Sequence, residues 1–130
     1  AIVARHYARR GPALLRETKH VGVLPVLSRA VEYHRPKGVV GIVSPWNYPL
    51  SLAVTDAIPA LLAGNAVVLR PDLQGSLTAL AAAEIFEDAG LPEHLLQIVL
   101  GHGEPTGQAV VDSADYVSFT GSTATGRRVA

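Results

Sequence analysis

The segment 120–126 places a glycine turn and hydroxyl side chains where a strand is predicted to end and a helix to begin. A helix N-terminus exposes unpaired backbone N–H groups and about half a positive charge, which attract anions. Thr120 ends the strand, Gly121 would let the backbone approach a ligand closely, and Ser122 could donate its hydroxyl. The pattern fits a cradle for a pyrophosphate, and it fits equally well an ordinary capped helix that follows a glycine turn.

A second glycine cluster lies in the segment 101–107. Gly101, Gly103 and Gly107 are spaced much like the glycine fingerprint of dinucleotide-binding turns, but one residue too many separates the last two. Glu104 would repel a phosphate at the start of the following helix. The segment therefore predicts either a tight turn with an adenine packed nearby or a glycine turn that binds nothing.

Arg70 and Asp72 flank a proline at the end of the second predicted strand. In nicotinamide dinucleotide sites an acidic residue at this place takes the ribose 2′-hydroxyl, whereas an Arg accommodates a 2′-phosphate. Arg70 is therefore a candidate ligand for a ribose hydroxyl or a ribose phosphate. The alternative is a surface ion pair between Arg70 and Asp72, which would contribute little stability.

The segment 44–49 is a proline-stiffened loop that contains the single Trp of the chain. Pro45 and Pro49 restrict the backbone on either side of Trp46 and Asn47. A rigidly held Asn is suited to donate its amide to oxygen charge that develops during a reaction. The alternative is a packing Trp beside a helix-capping Asn.

These four segments follow four short apolar runs, each of which predicts a buried strand. The predicted strands are 39–43, 66–69, 95–100 and 116–119. Helical spacing predicts helices over 50–62, 76–89, 104–112 and from about 122 onward. Ser76 is the expected N-cap of the second of these helices, and Gly64 and Gly90 are expected to end the first and second. The alternation predicts an α/β fold, a parallel sheet with helices on both faces, whose ligands bind at the carboxyl ends of the strands.

Residues 1–37 differ from the rest of the chain in charge. They carry eight basic and two acidic side chains, a net of +6, whereas residues 38–130 carry three basic and nine acidic ones, a net of −6. We expect one or two surface helices up to about His20, with a break near Gly11 and Pro12, and then an extended connection or a short antiparallel strand. The segment 1–37 is thus predicted to be a basic lead-in, and 38–130 a partial α/β domain. The basic side chains are scattered without aromatic partners, so nucleic-acid binding is not expected.

The composition of the chain indicates its class of core and excludes several kinds of site. The 130 residues are 48% hydrophobic but only 5% aromatic, which predicts one domain with a core of Val, Leu, Ile and Ala. The chain has no Cys, which excludes a disulfide scaffold, a thiolate zinc site and a thiol nucleophile within it. Its five histidines lack metal-ligand spacing, and no apolar run approaches the roughly 18 residues of a membrane span. We therefore expect no metal site and no membrane segment.

The strand-end segments together resemble the aldehyde dehydrogenase superfamily. PKGVVGIVSPWNYPL, IPALLAGNAVVLRP and FTGSTATGR occur in the family's order and at compatible spacing. HYARR near the start and LRPD after the second strand are similar to members of the succinate-semialdehyde dehydrogenase type. The resemblance implies a Rossmann-like cofactor-binding domain, present here in incomplete form, and an enzyme that oxidises an aldehyde with NAD or NADP.

The resemblance also implies roles for individual positions. Asn47 matches the family's catalytic Asn, whose amide stabilises the oxyanion of a thiohemiacetal. Arg70 matches the family's cofactor-ribose Lys, Gly103 and Gly107 would flank the adenine, and Gly121 with its neighbour would hold the pyrophosphate. The full cofactor-binding set implied is Val43, Ser44, Pro45, Trp46, Asn47, Arg70, Asp72, Leu73, Gly103, Gly107, Thr120, Gly121 and Ser122.

Two departures from the family pattern bear on the cofactor. Arg70 replaces the family's Lys, which keeps the charge but changes its reach and hydrogen-bond geometry. Leu73 stands where NAD-preferring members commonly carry a Glu. Because that carboxylate would repel a 2′-phosphate, we expect NADP to be accepted and preferred.

The family's Cys nucleophile and general-base Glu would have to lie outside this sequence, which is expected to be an N-terminal fragment. Succinate semialdehyde is the expected substrate, and the intact enzyme is expected to be a cytoplasmic homo-oligomer. The alternative is a non-catalytic nucleotide-binding or interaction module built on the same fold.

Overall fold

The computed structural model describes residues 2–24 and 27–129. The elements are, in chain order, α1 (Ile2–Leu14), β1 (Thr18–Val21), β2 (Arg29–Glu32), β3 (Val39–Ser44), α2 (Pro49–Leu62), β4 (Ala66–Pro71), α3 (Ser76–Asp88), β5 (Leu96–Ile98), α4 (Gly103–Ser113), β6 (Tyr116–Phe119) and α5 (Thr123–Val129). A short 3-10 turn, Leu73–Gly75, connects β4 to α3. The four predicted strand–helix units are therefore present.

The central sheet has the order β5-β4-β3-β6, and all of its pairings are parallel. β3 and β4 are the inner strands and pair over six residues, from Val39 opposite Ala66 to Ser44 opposite Pro71. β5 is shorter than predicted because it pairs only along Val67–Leu69 of β4. The parallel arrangement brings the carboxyl ends of β3, β4 and β6 to the same edge of the sheet.

The two faces of the sheet are covered by different helices. On one face Val40, Ile42, Val67 and Leu69 pack against the buried alanines of α2 and α3 (Ala53, Ala57 and Ala79). On the other face, the backbone of β3 lies so close to α4 that a Cβ on Gly41 would sit 2.9 Å from the Ala114 Cβ. Helices on both faces are thus confirmed, and among the described residues the buried apolar side chains are Val, Ile, Leu and Ala, as expected.

Glycines follow α2 and α3 where these helices end, and the Asn65 side chain stabilises the turn after α2. Gly64 and Gly90 follow α2 and α3 with φ values of +86° and +89°, as predicted for helix-ending glycines. Asn65 is buried, its Oδ1 accepts from the N–H groups of Lys37 and Gly38, and its Nδ2 donates to the carbonyl of Ala60. The Asn65 side chain therefore ties the start of β3 to the end of α2.

The prediction of Ser76 as an N-cap is wrong. Gly75 occupies that position, and the Ser76 hydroxyl donates to the carbonyl of Leu73. The reason is that the 3-10 turn, begun by Asp72, runs directly into α3.

The lead-in segment also differs from its prediction. α1 runs without a break through Gly11 and Pro12, and it ends at Leu14 rather than near His20. Gly11 is buried against Leu62 of α2, and this contact holds the helix together where local sequence predicts a break. β1 and β2 then form an antiparallel hairpin, which confirms one of the two expected alternatives. The division at residue 37 stays a prediction.

Within the described ranges, none of the helices is long and apolar enough to cross a membrane.

Candidate cofactor site at the strand ends

The carboxyl ends of β3, β4 and β6, together with the first turns of α4 and with α5, line one cavity of about 550 Å³, here called the strand-end cavity. A volume of this size is within the range of small-molecule and cofactor sites. Its lining residues are Val43, Ser44, Pro45, Arg70, Asp72, Leu73, Gln74, Gly103, Glu104, Gly107, Gln108, Phe119, Thr120, Gly121, Ser122, Thr125, Arg128 and Val129. Segments that lie up to 86 positions apart in the sequence, 43 and 129, thus face one another.

Eleven of the thirteen residues predicted to bind the cofactor line this cavity. Trp46 and Asn47 do not. Trp46 is 57% exposed, and Tyr48 takes the N-cap position of α2, so the alternative of a packing Trp beside a capping Asn is wrong.

Arg70 is held inside the cavity wall rather than at the surface. It is 7% exposed, and its Nη2 donates to the carbonyl of Gly101 at 3.2 Å. Asp72 does not pair with it, and instead its Oδ1 accepts from the backbone N–H of Gln74. The alternative of a surface ion pair is therefore wrong, and Arg70 brings a buried cation to the end of β4.

Two buried polar atoms in the cavity lining, Ser44 Oγ and Arg70 Nε, have no hydrogen-bond partner among the described residues. Buried polar groups cost free energy unless they are hydrogen-bonded. The oxygen atoms of a ribose or a phosphate could accept hydrogen bonds from both. The residues present therefore fit a polar, oxygen-rich ligand.

The turn after β6 has a structural role of its own. Ser122 Oγ accepts from the N–H of Thr125 at 3.2 Å and lies 2.9 Å from the Thr125 hydroxyl, which is a helix cap. A Cβ on Gly121 would come within 2.5 Å of the Phe119 ring, so a larger residue there would have to displace that ring. The capped-helix alternative is thus present in the structure, and anion binding at Gly121 and Ser122 stays a prediction.

Packing within the protein explains only one of the three glycines at and before the start of α4. A Cβ on Gly101 would clash with the Thr106 hydroxyl, which explains that glycine by packing. A Cβ added to Gly103 or Gly107, in contrast, would have no described atom within 4 Å outside the helix's own turns. Both line the cavity, and glycine is unfavourable in a helix by roughly 1 kcal/mol relative to Ala. Packing within the protein does not require either glycine, and the space beside them is open. A ligand packed flat against α4 would need such a space.

Seven residues of the strand-end cavity were not predicted as site residues: Gln74, Glu104, Gln108, Phe119, Thr125, Arg128 and Val129. Helical spacing could have indicated two of them, because Gln108 follows Glu104 by four positions and Arg128 follows Thr125 by three. Arg128 Nη1 lies 3.4 Å from Glu104 Oε1, and both side chains are largely exposed. Such a pair contributes little to stability.

A second cavity, of about 630 Å³, lies between the start of α1 and the first half of α2. Asn47 lines it, and it is here called the Asn47 cavity. Pro45, two residues earlier, lines the strand-end cavity, so the loop between β3 and α2 borders both.

The sequence profile of the aldehyde dehydrogenase family matches residues 3–130. The chain belongs to the aldehyde dehydrogenase family. This match confirms the resemblance noted in the sequence.

Two curated aldehyde dehydrogenases illustrate the range of relatives. A protein of Mycolicibacterium smegmatis, provisionally named succinate-semialdehyde dehydrogenase (NADP+), is 53% identical over 127 residues, which are 98% of this chain and 25% of that protein. A benzaldehyde dehydrogenase (NAD+) of Pseudomonas putida is 48% identical over 97 residues, which are 72% of this chain and 20% of that protein. The chain thus spans about a quarter or less of the length of these relatives.

Solved aldehyde dehydrogenase structures superimpose closely on the fold. An NADP-dependent glyceraldehyde-3-phosphate dehydrogenase from Bacillus halodurans, complexed with NADP, is 36% identical with a TM-score of 0.86, and the match covers 98% of this chain and 28% of that one. An aldehyde dehydrogenase from Mycobacterium tuberculosis, complexed with NAD+, is 40% identical with a TM-score of 0.84, covering 98% and 26%.

Over residues 2–24 and 27–129, no group of three or more His, Asp or Glu side chains comes together in a way that could hold a metal ion.

Proposed function

We propose that this chain forms the cofactor-binding part of an NAD(P)-dependent aldehyde dehydrogenase and that the dinucleotide occupies the strand-end cavity. The observation that carries the proposal is that three strand ends and the start of α4 line a single cavity, and that two of its lining residues, Ser44 and Arg70, each carry a buried polar atom without a partner among the described residues. The names of the relatives, and the NADP and NAD+ complexed with the two similar structures, support it. When bound, the cofactor accepts the hydride that the aldehyde loses on oxidation.

The cofactor-binding residues have distinct proposed roles. Arg70 binds the adenosine ribose or its phosphate, because it is a buried cation at the end of β4 with an unpaired Nε. Gly103 and Gly107 leave room for the adenine against α4. Gly121 and Ser122 hold the pyrophosphate. In this last role the Ser122 hydroxyl keeps its capping bond to the Thr125 N–H and turns its proton toward the ligand.

The end of β3 and the loop after it are proposed to border the nicotinamide. Val43, Ser44 and Pro45 line the cavity there, and Trp46 follows. The Ser44 hydroxyl is buried without a hydrogen-bond partner among the described residues, and a polar group of the cofactor is proposed to supply one.

Asn47 is proposed as the oxyanion-stabilising amide, held by the proline-flanked loop beyond the end of β3. The 130 residues contain no Cys, so the nucleophile of a covalent mechanism would come from outside this sequence. In the complete enzyme that contains this chain, we expect Asn47→Ala to lower kcat by about 10²- to 10³-fold. The Kd for NADP should change little, because Asn47 does not line the strand-end cavity. A wild-type kcat in that variant would remove Asn47 from the mechanism.

The cofactor is proposed to be NADP rather than NAD. Leu73 lines the cavity two residues beyond the end of β4 and brings no negative charge toward a 2′-phosphate, and Arg70 supplies a positive one. Steady-state kcat/KM for both cofactors on the complete enzyme tests this, and a strong preference for NAD would contradict it.

The names of the relatives provide two candidates for the aldehyde, succinate semialdehyde and benzaldehyde. Succinate semialdehyde is the substrate that the sequence resemblance favours. We further propose that the complete enzyme is cytoplasmic and that it is a homo-oligomer. Light scattering of the purified protein would test the oligomeric state.

A further inference from the structure

Charged side chains of both signs line the strand-end cavity. Arg70 and Arg128 supply the positive charges, and Asp72 and Glu104 supply the negative ones. Asp72 accepts a hydrogen bond from the backbone of the turn that follows β4, whereas Glu104 pairs with Arg128. A dinucleotide is itself an anion, so the places where these two arginines are held determine which of its phosphates the cavity attracts.

The two arginines come from different elements, but both contact the short segment 101–104. Arg70 lies in β4, and its Nη2 donates to the Gly101 carbonyl at 3.2 Å. Arg128 lies in α5, and its Nη1 lies 3.4 Å from Glu104 Oε1. Two cations therefore converge on one turn, the turn that leads from β5 into α4.

Arg128 is held less firmly than Arg70. Arg70 is 7% exposed, whereas the Arg128 side chain is 67% exposed and the Glu104 side chain 80% exposed. An exposed ion pair is weak, because water screens its charges and both side chains lose conformational freedom in forming it. A phosphate accepts two parallel hydrogen bonds from a guanidinium and carries more charge than a carboxylate. Arg128 can therefore exchange Glu104 for a phosphate at little cost.

We infer that Arg128 is a second ligand, beside Arg70, for the 2′-phosphate of NADP, and that Glu104 competes with this phosphate for Arg128. The inference rests on the proposed function and names two further residues that set its cofactor preference. Glu104 lies in the first turn of α4, between the two glycines proposed to contact the adenine, so its partner Arg128 is close to the proposed adenosine. The pyrophosphate is proposed at the opposite end of α5, before its first turn, whereas Arg128 lies in its last turn.

Removal of the Arg128 charge should weaken the binding of NADP selectively. In the complete enzyme we expect Arg128→Gln to raise the Kd for NADP by about tenfold in isothermal titration calorimetry, and to change the Kd for NAD by less than about twofold, because NAD lacks the 2′-phosphate. Arg127→Gln is the matched control, since it removes the same charge from the exposed neighbouring residue, which does not line the cavity. It should leave both Kd values near those of the wild type.

Removal of the Glu104 charge should have the opposite effect. Glu104→Gln frees Arg128 and removes a carboxylate that repels phosphate, so we expect the Kd for NADP to fall by about three- to tenfold, and the Kd for NAD to change less. The gain should decrease as salt is added, because exposed charges are screened. Glu87→Gln is the control, because it removes an exposed carboxylate of α3 that lies outside the cavity lining. A Kd for NADP that is unchanged or raised in Glu104→Gln would overturn the inference.

A ligand without nicotinamide isolates the 2′-phosphate. Adenosine 2′,5′-bisphosphate carries this group and 5′-AMP lacks it, so the wild-type enzyme should bind the bisphosphate more tightly and Arg128→Gln should lose most of that difference. Equal losses of NADP and NAD binding in Arg128→Gln would place Arg128 at the pyrophosphate or the adenine and overturn the inference alone. If the wild-type enzyme binds neither NADP nor NAD, the proposed function fails and the inference fails with it. Glu104→Gln decides the inference even if Arg128→Gln does not fold.

Discussion

Gly107 offers a direct test of whether the strand-end cavity binds a dinucleotide. Gly107 lies inside α4 with a φ outside the left-handed region, and a Cβ placed on it would meet no described atom within 4 Å. Without a ligand, Gly107→Ala should therefore stabilise the protein by roughly 0.5–1 kcal/mol, the usual gain of Ala over Gly in a helix. The apparent melting temperature of the ligand-free enzyme should be unchanged or raised.

With cofactor present, the same methyl group has the opposite effect. If the adenine packs against α4, the methyl group occupies ligand space, and overpacking of this kind costs about 1–3 kcal/mol. The Kd for NADP should then rise by roughly 5- to 150-fold. Isothermal titration calorimetry on the complete enzyme measures the Kd, and thermal unfolding without cofactor measures the stability.

Gly90→Ala is the matched control for this prediction. A Cβ on Gly90 would also meet no described atom, but its φ is +89°, and it lies between α3 and β5, at the opposite edge of the sheet from the cavity. This variant should lower the melting temperature, because a left-handed Ala costs about 1–2 kcal/mol, and leave the Kd for NADP unchanged. If Gly107→Ala is as stable as expected yet binds NADP with the wild-type Kd, the adenine does not lie against α4.

Two further variants test the cofactor preference and the fold. Leu73→Glu places a carboxylate in the strand-end cavity and should lower kcat/KM for NADP relative to NAD by about tenfold. The control, Leu73→Gln, adds no charge and should leave this ratio unchanged. Equal losses of kcat/KM with both cofactors would place the 2′-phosphate elsewhere. Asn65→Ala removes three hydrogen bonds from a buried turn and should lower the free energy of unfolding, measured with urea, by roughly 2–4 kcal/mol. The control, Gln97→Ala at an exposed position of β5, should lower it by less than about 0.5 kcal/mol. Similar unfolding midpoints for the two variants would show that the Asn65 contacts contribute little.

The fold was largely predictable because its decisive signals are local. The apolar runs of the inner strands β3 and β4 are largely buried, which gives a parallel sheet a sequence pattern that surface strands lack. Gly64 and Gly90 mark helix ends because their left-handed backbone favours glycine. The failures occurred where distant contacts decide, as at Pro12, where the packing of Gly11 on Leu62 outweighs a local tendency to break the helix.

The site was predictable in part for the same reason. Residues that directly follow strands were found, because the parallel topology brings them to one edge. The burial of Arg70 could not be read from its neighbours in sequence, since its hydrogen-bond partner, Gly101, lies 31 residues away. Gln74 enters the cavity through the 3-10 turn, which no periodicity in the chain specifies.

The close approach of β3 to α4 has a consequence for attempts to redesign the coenzyme preference. Gly41 lies under Val110 and Ala114, and its missing side chain sets how deeply α4 settles on the sheet. Gly103 and Gly107 lie toward the other end of α4, so any side chain introduced at position 41 would tilt this helix and move both glycines. Libraries that alter coenzyme choice should therefore leave Gly41 fixed, although it reaches no nucleotide itself.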